Sequence, residues 1–63
     1  MGDAMKVYRE NHGLTTAELA TELGGLTAEE VSEMESNKRN INFDIAEKLS
    51  QLFQVPIERF FDQ

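Results

Sequence analysis

The sequence predicts an all-α domain, and three observations carry that expectation. Two copies of the pattern Thr-x-x-Glu, Thr15 to Glu18 and Thr27 to Glu30, stand just ahead of apolar residues at helical spacing. Elsewhere the apolar positions recur at three and four residues. No stretch alternates with the period of two that a half-buried strand requires, and there is no internal repeat or low-complexity segment.

In chain order, Met5, Tyr8 and the aliphatic stem of Arg9 share one side of "DAMKVYRENHG", and Gly13 is placed to stop this first helix near His12. The preceding "MGDA" reads as a disordered start or a remnant of cloning, and no structural role is expected of it. Thr15 caps a second helix whose inward residues are Leu19, Ala20 and Leu23, and Gly24 with Gly25 breaks it. Thr27 caps a third helix, which buries Val31 and Met34 and closes at Asn37, a residue type that tolerates left-handed geometry. The helix-turn-helix so formed spans about residues 16–36. "KRNIN" is too polar for core and reads as a loop. Asn42 caps a fourth helix with a stripe of Phe43, Ala46, Leu49, Ser50 and Phe53. Pro56 ends that run and starts a short fifth helix, where Ile57, Phe60 and Phe61 close the core. Phe61 points about 100° around the helix from Phe60, so a surface position and a part in a dimer contact are expected of it. Residues 1–63 read as one domain.

Composition narrows the partners. The 63 residues include no cysteine, which excludes a disulfide framework and a cysteine-based zinc site and favours a reducing, cytoplasmic setting. A chain this short hides only about 60% of its unfolded surface, so stability is expected to be modest. There is no long apolar run, hence no membrane span is expected. Twelve acidic residues against six basic ones give a formal charge of -6, whereas nucleic-acid binders usually present a basic surface that releases counterions from phosphate.

Two capped helices around a glycine turn form a helix-turn-helix candidate. The order of residues in "MKVYRENHGLTTAELATELGG" and "VSEMESNKRNINFDIAEKLSQLFQVPIERFF" resembles the Cro/C1-type, XRE-like helix-turn-helix regulators over Met5 to Phe61. The more specific marks are Arg9 before "GLT", "AELA" in the second helix, "MES" followed by the basic "KRN", and "LFQVPIERFF". The resemblance implies a compact five-helix, lambda-repressor-like DNA-binding domain that acts on an operator in double-stranded DNA, and a homodimer on a two-fold symmetric operator is the expected form. It further implies a structural ion pair between Arg9 and Glu35. It places Thr16, Thr27, Ala28, Glu29, Ser32, Glu33, Lys38, Arg39 and Asn40 on the DNA-facing side. The chain departs from the family pattern in having Thr16 where glutamine is frequent, in the doubled glycine of the turn, and in the acidity of the third helix.

Part of that acidity has a local reason. Glu29 and Glu30 lie in the first turn, where the helix dipole favours negative charge, and Glu30 completes a capping box. Glu33 has no such reason, but a glutamate can accept a hydrogen bond from cytosine N4. Two readings of function stay open on these residues: a DNA-binding regulator gripping phosphate through Lys38 and Arg39, or a helix-turn-helix turned to a basic protein partner through its acidic third helix, as an antirepressor, antitoxin-like or inhibitor module. No catalysis, metal or cofactor is expected. His12 is the only histidine, and it sits where its cationic form would suit a helix C-terminus. One helix face of carboxylates cannot surround a hard cation.

Overall fold

The computed structural model describes residues 2–60, which form four α-helices followed by one turn of 3-10 helix. Helix α1 covers Gly2–Asn11, α2 Thr16–Leu23, α3 Ala28–Glu35 and α4 Phe43–Phe53, and the 3-10 turn covers Ile57–Phe60. No strand occurs among the described residues, and none of the helices is long and apolar enough to cross a membrane. The fifth segment therefore differs from the expected α-helix. Among the described residues this segment is 3-10 in form, a geometry that occurs in short pieces. Arg59 N–H accordingly donates to Pro56 C=O at 3.1 Å, the tighter i to i+3 closure.

Local chemistry accounts for the helix ends. Thr15 and Thr27 each make a complete capping box: the threonine hydroxyl accepts from the backbone N–H of the residue three on, and that residue's glutamate accepts from the threonine N–H. Asn42 Oδ1 accepts from Ile45 N–H at 2.8 Å and starts α4. At the far ends, α1 and α3 close with the same wrapped pair of bonds. Leu14 N–H reaches Arg9 C=O around Gly13, and Lys38 N–H reaches Glu33 C=O around Asn37. Asn37 takes a φ of 64°, the left-handed geometry this closure needs. Gly24 and Gly25 both stand at φ 76°, so the α2–α3 turn uses two successive residues in a region side chains disfavour. A Cβ at either would meet nothing within 4 Å, which makes the requirement one of backbone and not of space.

The core gathers Met5 from α1, Leu19, Ala20 and Leu23 from α2, Val31 and Met34 from α3, and Ala46, Leu49 and Phe53 from α4, with Phe60 of the 3-10 turn fully buried against them. Tyr8 stacks on Phe53 at 5.7 Å and meets Phe60 edge-on at 5.9 Å, tying α1 to the C-terminal elements. The Cα radius of gyration, 10.1 Å, is that of a densely packed chain of this length. Gly2 to Ala4, of which the sequence promised nothing, form the first turn of α1, and Ala4 packs on the core.

Two side chains lie elsewhere than expected. Ile41, in the loop read as wholly polar, is buried at 5% exposure and pins the segment between α3 and α4. Phe43, read as the start of the α4 stripe, is 60% exposed. At 100° per residue it lies about 120° around α4 from Leu49, while Ile45 and Leu52 occupy the other flank of the inward face. The expectation for Phe61 concerns a position outside the described residues.

Candidate nucleic-acid interface

What α3 shows to solvent follows from what holds its other side. Val31 and Met34 enter the core, and Glu35 is buried beside them. Arg9 of α1 meets Glu35 through two donors: Nε to Oε2 at 2.6 Å and Nη2 to Oε1 at 3.1 Å. Its Nη1 donates to Leu14 C=O at 2.8 Å, so one guanidinium joins α1, the α1–α2 link and α3. Both side chains are nearly enclosed, at 12% and 7% exposure. The hydrogen bond to Glu35 raises the Arg9 pKa; burial opposes this, and the charges of Glu35 and Glu10 add to the rise. Because the shift is upward, the arginine's share of stability is fully present below the ordinary arginine range and is lost only as pH climbs through the higher folded-state value. It is constant across ordinary buffers.

With that side anchored, 3.6-residue periodicity turns Glu29 and Glu33 directly outward, flanked by Ser32 and Glu30. Glu29 and Ser32 are exposed, Glu30, Glu33 and Ala28 half-buried, and Thr27 is exposed at the cap. Thr16, the first residue of α2, is half-buried. Lys38, Arg39 and Asn40 are all exposed on the loop that leaves α3. The closing bond from Lys38 N–H to Glu33 C=O, at 2.8 Å, brings that loop back along the helix it has just left.

One consequence is an ion pair that the sequence did not suggest. Arg39 Nε and Nη2 both reach Glu33 Oε1, at 3.0 and 2.9 Å, and Nη1 lies 3.8 Å from Glu30 Oε2. Residues six apart are not helical neighbours, and here the left-handed turn at Asn37 carries the chain back toward α3. Lys38 forms no ion pair among the described residues. The outward surface thus holds three carboxylates and two cations, one of the cations already engaged.

Lys48 of α4 was also missed. Its Nζ donates to Leu23 C=O at 2.9 Å, capping the end of α2, which has no basic residue in its own last turn. The contact spans 25 positions in sequence, and no local pattern announces it. His12 Nδ1 stands 3.0 Å from Tyr8 C=O, an acceptor only, so this nitrogen carries the proton; the ring sits 4.8 Å from that of Phe53. Among the described residues no group of three or more His, Cys, Asp or Glu side chains could hold a metal ion.

The start of α3 offers a direct check of its local energetics. Thr27→Ala removes the hydroxyl that accepts from Glu30 N–H, and is expected to cost about 1 kcal/mol. In thermal unfolding followed by circular dichroism this lowers the midpoint by about 4–8 °C.

No curated protein and no solved structure matches the chain. The family model for helix-turn-helix proteins matches residues 5–60, from the buried Met5 of α1 to the buried Phe60 of the 3-10 turn. With that span covering nearly all of the described fold, the chain belongs to the Cro/C1-type, XRE-like helix-turn-helix family of DNA-binding regulators.

Proposed function

We propose that this chain is a sequence-specific regulator of transcription that lays α3 in the major groove of double-stranded DNA. In this reading Thr16 and the loop of Lys38, Arg39 and Asn40 rest on phosphates, while Thr27, Ala28, Glu29, Ser32 and Glu33 meet the groove. It acts in the cytoplasm as a homodimer on a two-fold symmetric operator, with half-sites about one helical turn apart. The observation that carries the reading is the anchoring of α3 by Arg9 and Glu35, which leaves its opposite side exposed beside a cationic loop.

Electrostatics set the expected strength. Lys38 is the one cation of this surface without an ion pair among the described residues, the charge of Arg39 being offset by Glu33. About one phosphate is therefore neutralised per chain, and log affinity depends only shallowly on log salt, with a slope of about -0.9. Binding to random duplex DNA at low ionic strength tests this. Lys38→Ala is expected to weaken all duplexes by a similar factor and to flatten the slope by about 1. Failure of the chain to retain any duplex at tens of micromolar protein would rule the reading out.

The engagement of Arg39 by Glu33 and Glu30 favours a second reading, in which a net-acidic α3 docks on a basic protein partner. Loss of a basic partner on Glu33→Lys, together with no DNA retention by the parent chain, would select it.

A further inference from the structure

The three outward carboxylates of α3 are not equivalent. Glu30 Oε1 is committed to the cap, 2.9 Å from Thr27 N–H. Glu29 has no cation beside it among the described residues. Glu33 differs from both: Arg39 places Nε and Nη2 on the same oxygen, Oε1, and leaves Oε2 without a hydrogen bond. A carboxylate held in this way is neutralised, oriented and still able to accept.

Resting on the DNA-binding reading above, we propose that Glu33 and Arg39 act as one unit that selects cytosine at one position of the target, with Glu33 Oε2 accepting from cytosine N4. The chemistry of the groove edges excludes the other bases. Guanine N7 and O6 and thymine O4 are acceptors and repel a carboxylate. Adenine offers an N6 donor, but beside N7, whose lone pair opposes the second carboxylate oxygen. Cytosine N4–H has an acceptor, O6 of its paired guanine, on one side only and C5–H on the other, so a carboxylate can approach it from that open side. Arg39 is the positioning residue: it offsets the charge that would otherwise repel the phosphates and directs the free oxygen away from the loop.

Selection from a pool of duplexes with a randomised centre, at about 50 mM salt, tests the assignment. Sites retained by the parent chain are expected to contain a position where cytosine exceeds each other base by about fivefold or more. Glu33→Gln, whose amide suits the donor and acceptor of adenine, is expected to move that position to adenine. Arg39→Met is expected to lower affinity and abolish the cytosine preference. Both positions lie on the surface, so unfolding midpoints close to the parent's are expected and serve as the control for folding. If Glu33→Gln selects the same base as the parent at every position, or if Arg39→Met keeps the cytosine preference, the unit is refuted while DNA binding stands. Retention of no duplex by the parent refutes both.

Discussion

Arg9→Met is expected to remove more than half of the protein's stability. Methionine keeps much of the apolar stem and removes the guanidinium, which strands the Glu35 carboxylate at 7% exposure and takes the donor from Leu14 C=O. Breaking a buried pair from one side costs about 3–5 kcal/mol. A domain of this length has a total stability of about 3–9 kcal/mol, so the loss consumes most of it. The melting midpoint should fall by at least about 12 °C. A double variant, Arg9→Met with Glu35→Leu, replaces both charges with apolar groups and is expected to recover most of the loss, because the main penalty is the unpaired carboxylate. A midpoint for Arg9→Met within about 3 °C of the parent would show that the pair behaves as an exposed one.

The second large effect concerns the charge on the outer side of α3. Glu33→Lys removes the acceptor of Arg39 and puts a cation in its place, so Arg39 becomes available to phosphate and a new lysine joins it. Two additional phosphate contacts steepen the salt slope by about 1.8. Between 200 and 50 mM salt the variant is then expected to gain about tenfold more affinity for random duplex DNA than the parent gains. The gain is indifferent to sequence, since phosphates carry no base identity. Fluorescence anisotropy across a salt series reads it directly, and a steepening of only about 0.9, the share of the new lysine alone, would show that Arg39 is not restrained by Glu33 in solution.

How much of this was visible in the sequence depended on the range of the interaction. The caps at Thr15, Thr27 and Asn42 and the left-handed Asn37 are local devices, written in residues three or four apart, and the helix limits follow them. The inward residues of α2 and α3 were legible for the same reason. Phe43 was misplaced because the stripe on α4 was drawn from its first residue, whereas Ile45 and Leu52 shift the inward face the other way. Ile41 was overlooked because its neighbours are polar, and burial of a single loop residue leaves no period to detect. The bonds from Lys48 to Leu23 C=O and from Arg39 to Glu33 depend on how helices and loop fold back in space, which no spacing rule encodes. That last contact bears most on function, for it joins Arg39, expected on phosphate alone, to a carboxylate of α3.

The account stands on α3 and the following loop being where DNA is met. Titrating the 15N-labelled chain with a duplex at low salt and following each backbone amide tests this most directly. The expected result is a set of shifted amides confined to the start of α2 at Thr16, to residues 27–33 and to residues 38–40, with α4 and the 3-10 turn unmoved. Shifts centred on α4 instead, or none at protein and duplex concentrations of tens of micromolar, would contradict it.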